Sequence, residues 1–138
     1  GSLWALTLTS FIFGLLHLFN PEASLYDCLA IVLEAGLLLG ACYLLTRRLW
    51  LSIGVHSAWN FVQGGIFGSD ISGTGSGRGL FEAAFSGPDW LTGGDMGVEG
   101  SVVTVVVCTV AGVVVLLTAR RRGMLVPPRS RRTVVAGS

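Results

Sequence analysis

Four apolar stretches constrain the fold of this chain more than any other feature of its sequence. They are 17 to 21 residues long and cover residues 3–19, 26–46, 49–67 and 102–119. A transmembrane helix needs about 20 predominantly apolar residues. Inside a bilayer, only helices and closed barrels satisfy all their backbone hydrogen bonds. The pattern therefore predicts an all-α, polytopic transmembrane bundle of about four helices, with a Gly-rich loop before the last one.

The composition supports a membrane protein. Of the 138 residues, 51% are hydrophobic and 12% are charged, and the mean hydropathy is +0.71. Soluble domains carry about 25% charged residues, roughly twice as many. The expected partner is thus the lipid bilayer, and a net charge of +1 gives no reason to expect nucleic acid. Cys28, Cys42 and Cys108 show no metal-ligand spacing, so they are interpreted as small apolar residues.

Two arginine clusters predict the orientation of the bundle. Arg47–Arg48 follows the second apolar stretch and Arg120–Arg122 follows the fourth, so two stretches separate the clusters. Both clusters should then lie on the same side, which the positive-inside rule makes cytoplasmic. The predicted organisation is a membrane domain over residues 1–119, with an external Gly-rich loop at 68–100, followed by a basic cytoplasmic tail at 120–138.

A polar ridge interrupts the third apolar stretch. Ser52, His56, Asn60 and Gln63 are spaced by four, four and three residues, which places them on one face of a helix. Polar groups inside a membrane are expensive and normally face the bundle interior or a water-filled cavity. A second histidine, His17, ends the first stretch. In straight helices the two histidines would lie at different depths, so the first helix should be tilted, bent or set deeper than its sequence suggests.

Two further features of the second stretch have alternative interpretations. Gly36 and Gly40 form a GxxxG pattern, which is typical of close helix packing but is also common by chance. Glu34 lies about 12 Å along the predicted helix, too deep for a short side chain to reach the interface comfortably. It is either a structural carboxylate, protonated or paired with arginine, or part of a functional site. In the loop, the segment LFEAAF predicts one or two amphipathic helical turns.

Two short motifs resemble those of a known family. FGLLH at Phe13–His17, followed by LFNPEAS, resembles the FxxxH motif of the CPBP family of CAAX proteases and bacteriocin-processing intramembrane proteases. HSAWN at His56–Asn60 resembles the HxxxN motif of that family. The helical hairpin between the motifs is also similar, as is the later segment WLTGGDMGVEGS, which is similar to a loop of bacterial members. The resemblance covers roughly residues 3–117.

The resemblance implies an intramembrane endopeptidase of the bacterial plasma membrane that acts on a peptide or a prenylated protein. His17, His56 and Asn60 match the catalytic positions of the family. The family's acidic EExxxR motif, whose glutamate is taken to activate water, is absent from the 138 residues. The first apolar stretch is also short and lacks flanking charge, so the chain is expected to be the C-terminal part of a longer protein. The isolated chain is therefore expected to be inactive, with Glu34 as the first alternative base.

The chemistry of the site leaves alternatives open. Two neutral imidazoles can ligate a divalent metal such as zinc, through His17 and His56, or can orient a water by hydrogen bonds. Asn60 can donate its amide to an oxyanion, or it can simply form an interhelical hydrogen bond, and His17 can be an interfacial histidine at a helix end. Buried polar residues also suit a small transporter or a non-catalytic membrane partner.

Overall fold

The structure, a computed structural model, describes residues 1–75 and 78–128, and within these ranges the chain forms five helices and no strands. The helices are α1, Ser2–Phe19; α2, Leu25–Thr46; α3, residues 50–66; α4, Asp89–Thr92; and α5, Val102–Arg121. The all-α prediction is confirmed for this part of the chain. Residues 76–77 of the predicted loop and 129–138 of the predicted tail lie outside the described residues.

Short local signals determine where α1 ends and where α2 begins. The last turn of α1 tightens into a 3₁₀ turn, His17–Phe19, and the backbone is extended at Asn20, the residue before Pro21. The helix α2 then starts with a capping box, in which Ser24 and Asp27 each bond to the other's backbone N–H. The connection between the two helices is therefore short, and His17 lies directly before it.

Three of the four predicted spans are confirmed as helices long and apolar enough to cross a membrane: α1, α2 and α5. The third predicted span, 49–67, forms the shorter helix α3. It is α-helical over Trp50–Asn60 and continues as a π-helical turn over Phe61–Ile66. The polar ridge lowers its hydropathy, so length and composition do not identify α3 as a span by themselves.

The second helix is the centre of the bundle, because it packs against α1, α3 and α5. A Cβ atom added at Gly36 would lie 2.8 Å from the backbone Cα of Ser10 in α1, and one at Gly40 would collide with Leu6. The close helix packing suggested by GxxxG is therefore confirmed, with α1 as the partner. Cys28 and Cys42 are buried without disulfides in this helix, which agrees with their interpretation as small apolar residues.

The first turn of α3 lies beside Leu39 of α2 rather than beside the last turn of α2. The hydroxyl of Ser52 donates a 2.8 Å hydrogen bond to the carbonyl of Leu39. Leu39 precedes Thr46, the last residue of α2, by about 10 Å of helix. The start of α3 therefore lies about 10 Å along α2 from the end of that helix, and this offset determines which residues of α2 lie beside the polar ridge.

The arginine clusters lie at the same end of the bundle, as predicted. Arg47 ends α2 and donates hydrogen bonds to the Met124 carbonyl and the Ser2 hydroxyl. The backbone N–H of Ser2 donates a hydrogen bond to the carbonyl of Val126, and the backbone N–H of Val126 donates one to the Ser2 hydroxyl. Both bonds are 2.9 Å long. The start of α1, the end of α2 and the segment after α5 therefore meet in one place.

The Gly-rich loop folds back onto the end of α3. The backbone N–H groups of Leu80 and Phe81 donate to the carbonyls of Gly65 and Ile66, at 2.9 and 2.8 Å. The prediction of amphipathic turns over LFEAAF is wrong, because this segment is not helical. Its first N–H groups bond to the π-helical turn of α3 instead of to a helix of their own.

Candidate active site

One cavity brings together side chains from four parts of the chain. Its volume is about 40 Å³, and His17, Glu34, His56 and Glu99 are among the residues that line it. These residues come from the end of α1, the middle of α2, the middle of α3 and the segment before α5. A water needs about 10–15 Å³, so the cavity has room for water.

A hydrogen bond to its own helix holds His17 in one tautomer. Its Nδ1 lies 2.8 Å from the carbonyl oxygen of Phe13, one turn earlier in α1. A carbonyl oxygen can only accept, so Nδ1 must carry the proton and donate it. In the neutral ring, Nε2 then keeps a free lone pair. His17 therefore has the tautomer in which Nε2 can accept a proton or a hydrogen bond.

The ring of Phe13 links the two histidines. Its centroid lies 4.9 Å from that of His17 and 5.7 Å from that of His56, the latter in an edge-to-face arrangement. Since these two distances add to 10.6 Å, the imidazole centroids are no more than 10.6 Å apart. Both histidines thus line one cavity, and the tilt, bend or deeper position expected of α1 stays a prediction.

The polar ridge of α3 faces protein along its whole length. The hydroxyl of Ser52 is bonded to α2, and His56 lines the cavity. Gln63 is 5% exposed and donates to the carbonyl of Asp70 in the loop. Asn60 does not line the cavity, but its Oδ1 atom is buried and has no hydrogen-bond partner among the described residues. The predicted inward orientation of the ridge is therefore confirmed.

Glu34 lies in the interior, at the centre of a π-helical turn, Val32–Gly36, within α2. The residue is only 3% exposed, and its Oε2 atom is buried without a hydrogen-bond partner in the described part of the chain. No arginine from residues 1–75 or 78–128 lines its cavity, so the Arg-paired interpretation is not supported. π-helical turns within α-helices are frequent at functional sites.

Glu99 is a member of the cavity that the sequence-based reasoning missed. It is 7% exposed, and its two oxygens accept hydrogen bonds from Trp59 Nε1, at 2.9 Å, and from the Ser72 hydroxyl, at 2.5 Å. The Ser72 carbonyl in turn accepts a 2.6 Å bond from the Asn20 side chain. One carboxylate thus joins α3, the loop and the segment before α5. The similarity of WLTGGDMGVEGS to a family loop was the only sequence signal for it.

Within the described ranges, the donors around the cavity do not form a set of three metal ligands. Although two histidines and two carboxylates line it, no three His, Cys, Asp or Glu side chains within residues 1–75 and 78–128 are placed to hold one ion. A catalytic zinc normally has three protein ligands. The assignment of a metal to His17 and His56 therefore stays a prediction, and no chemical step below depends on it.

Comparison with known proteins identifies one family. The model described as Type II CAAX prenyl endopeptidase Rce1-like matches residues 1–62, which include His17, His56 and Asn60. The resemblance predicted from the FxxxH and HxxxN motifs is confirmed over this range. The similarity of the segment at 90–101 lies beyond the match and stays a prediction. No curated protein and no solved structure matches the chain.

Proposed function

Because residues 1–62 match the family model described as Type II CAAX prenyl endopeptidase Rce1-like, we propose that this chain hydrolyses a peptide bond of a prenylated protein within the membrane. The observation that carries the proposal is the cavity that His17 and His56 share, although they belong to helices separated in sequence by α2.

The chemistry of amide hydrolysis fits these side chains. The reaction needs a water from which a base removes a proton, and donors that stabilise the oxyanion formed on attack. The free Nε2 lone pair of His17 orients the water by accepting one of its protons in a hydrogen bond. His56, from the facing helix, stabilises the developing oxyanion. Asn60 lies one turn beyond His56 and outside the cavity lining, so its proposed donation to the oxyanion requires a substrate that extends along α3 past His56.

A prenylated substrate suits the surroundings of the site. The helices that supply the histidines expose large apolar side chains on their outer faces, including Leu16 and Phe19 on α1 and Trp50 on α3. An isoprenyl chain partitions into the bilayer by the same hydrophobic effect that holds these faces in lipid. The modified end of a protein substrate would therefore be delivered at membrane depth, beside α1 and α3.

We also propose that α3 is embedded in the membrane with the three long apolar helices, which makes four embedded helices in all. Its exposed side chains are largely apolar, and its polar ridge is covered by protein. The arginine end of the bundle is assigned to the cytoplasm by the positive-inside rule. The family resemblance supports a bacterial plasma membrane as the location.

The proposal is tested with the protein reconstituted in lipid nanodiscs and a farnesylated CAAX peptide carrying a fluorophore and a quencher. His17→Ala and His56→Ala should each lower kcat/KM by about 10²-fold or more, because each removes a group that acts on the reacting atoms. Asn60→Ala should lower it by about 10²–10³-fold, as expected for an oxyanion donor.

The matched control is Ser57→Ala, which removes a polar group from the exposed side of α3 next to His56. It should keep full activity. Binding of a non-cleavable prenylated peptide analogue is measured for every variant. Absence of both binding and cleavage in the unmodified chain, or full activity in both histidine variants, would contradict the proposed function.

A further inference from the structure

We propose that Glu99 is a positioning residue of this site. Its carboxylate joins two hydrogen-bonded branches, one leading to His56 and the other to His17, and so holds the two histidines at the spacing that the reaction requires. This inference rests on the proposed peptidase function and deepens it, because it names a residue that aligns the groups acting on the substrate without acting on the substrate itself.

The first branch leads from Glu99 to His56 through Trp59. The indole Nε1–H of Trp59 donates a 2.9 Å hydrogen bond to Oε1 of Glu99. Trp59 follows His56 by three residues, which places the two side chains on neighbouring positions of one helix face, and both line the cavity. An indole has a single donor and no acceptor. This bond therefore holds both the α3 face that carries His56 and the ring next to it.

The second branch leads from Glu99 to His17 through the loop and Asn20. The Ser72 hydroxyl donates a 2.5 Å hydrogen bond to Oε2 of Glu99, and the Ser72 carbonyl accepts a 2.6 Å bond from the Asn20 side chain. The backbone N–H of Asn20 in turn donates to the carbonyl of His17, at 2.9 Å. The end of α1 that carries His17 is thus connected to the same carboxylate as α3.

The backbone around Glu99 is itself held tightly, so the carboxylate has a fixed base. Glu99 lies in a 3₁₀ turn, Val98–Gly100, directly before α5. Gly97, which precedes this turn, has a φ of 80°, and a Cβ atom there would collide with the carbonyl oxygen of Asp70. Only glycine fits such a conformation and such a close approach. A rigid support of this kind is what a positioning residue needs.

Alignment matters here because two histidines from different helices act on one substrate. Their ring centroids are no more than 10.6 Å apart, and both line a cavity of about 40 Å³. A misplacement of about 1 Å can lower a rate about 10²-fold. Both oxygens of Glu99 accept hydrogen bonds from protein donors, which fits a connecting role better than proton transfer.

The spacing is measured directly by pulsed electron spin resonance on the protein in nanodiscs. Spin labels are attached at Phe19→Cys, at the end of α1, and at Phe61→Cys, at the start of the π-helical turn of α3, with the native cysteines replaced by alanine. Both phenylalanines are exposed and neither lines the cavity. The labels therefore report on the two helices without entering the site.

Two variants of Glu99 separate spacing from charge. Glu99→Leu breaks both branches, because an apolar side chain accepts no hydrogen bond, and it should broaden the distribution of distances between the labels. Glu99→Gln should keep the distribution of the unmodified protein. Its amide oxygen still accepts from Trp59, and its amide N–H donates to the Ser72 hydroxyl, which can also accept. The matched control is Glu82→Gln, at an exposed loop position, which should change nothing.

Two single-branch variants keep the test decisive if Glu99→Leu does not fold. Trp59→Phe removes the Nε1 donor and cuts only the first branch, whereas Asn20→Ala cuts only the second branch, at the end remote from Glu99. Each should broaden the distance distribution relative to the unmodified protein. The unfolding midpoint of every variant is measured, and all distances are compared below it.

Cleavage of the farnesylated CAAX peptide gives the second readout. Glu99→Leu should lower kcat by about 10²-fold, as expected for a misplacement of about 1 Å. KM and binding of the non-cleavable analogue should change by less than about 3-fold, because Glu99 acts on alignment rather than on binding. Glu99→Gln should keep kcat within about 5-fold of the unmodified protein, since both branches remain.

The outcomes separate this inference from the proposed function. An unchanged distance distribution in every folded branch variant would overturn the inference, and so would an equal loss of kcat in Glu99→Gln and Glu99→Leu, which would assign the effect to charge. A lower unfolding midpoint with an unchanged kcat would show that Glu99 only stabilises the fold. In each of these cases the peptidase function stands if His56→Ala loses activity. If the unmodified protein binds the analogue without cleaving it, the distance distributions alone decide the inference. Absence of both binding and cleavage overturns both proposals.

Discussion

Single side chains in this protein hold together parts of the chain that are far apart in sequence. Glu99 is the clearest case, because its carboxylate accepts from Trp59 on α3 and from Ser72 in the loop. Ser72 has a φ of 52°, which is uncommon for a residue other than glycine, and two hydrogen bonds hold it there. The carboxylate thus positions the loop against the helix that carries His56.

We expect Glu99→Ala to lower the free energy of unfolding by about 2–3 kcal/mol, because it leaves the Trp59 N–H and the Ser72 hydroxyl without a partner. Glu82→Ala, at an exposed site of the same loop, should change it by less than about 0.5 kcal/mol. Denaturant titration in mixed micelles measures both. A double-mutant cycle with Trp59→Phe should show coupling of about 1 kcal/mol or more. Additive effects would mean that the Glu99–Trp59 bond does not stabilise the fold.

At the scale of helices, small residues determine how closely α1 and α2 approach. Gly14, Gly36 and Gly40 all lie in this contact, and a Cβ atom at any of them would collide with the other helix. In lipid there is little hydrophobic drive between helices, so such close van der Waals packing contributes much of their association. The same contact holds His17 and Glu34 in the positions that the cavity requires.

The pair Gly36→Ala and Gly54→Ala tests this contact. Both changes raise helix propensity by up to about 1 kcal/mol. No atom lies within 4 Å of a Cβ at Gly54, whereas the Cβ at Gly36 meets the α1 backbone at Ser10. Gly54→Ala should therefore be neutral or stabilising, and Gly36→Ala should destabilise by about 1–3 kcal/mol, as overpacking does. Equal stability of the two variants, measured by the same titration, would show that α1 and α2 are not in close contact.

At the scale of the whole molecule, the bundle has one arginine-rich end and one end formed by the loop. Arg47 and Met124 join the end of α2 to the segment after α5. The loop covers the opposite end of α3, through bonds from Leu80 and Phe81 to its last turn. The cavity with the two histidines lies between these ends, next to the central helix.

Cysteine labelling tests this arrangement in a membrane. In a background where the three native cysteines are alanine, Ser86→Cys in the loop and Pro128→Cys after α5 should be modified from opposite sides by a membrane-impermeant maleimide. Both positions are exposed. Pro128→Cys should react only from the cytoplasmic side, because arginine clusters are retained there. Modification of both positions from the same side would show that α5 does not cross the membrane between them.

The apolar periodicity and the arginine placement were sufficient to predict a helical membrane bundle, the inward-facing polar ridge and the common end of the arginine clusters, because these depend on local sequence and on the cost of burying polar groups in lipid. The family motifs predicted which histidines belong together. Only the tertiary structure showed that both line one cavity, since the position of α3 depends on contacts between helices such as the Ser52–Leu39 bond. It also decided that Glu34 and Glu99 share their cavity and that only one of them has a free oxygen. The hydrogen bonds of Glu99 join it to residues 40 and 27 positions away in the chain, which no local pattern encodes.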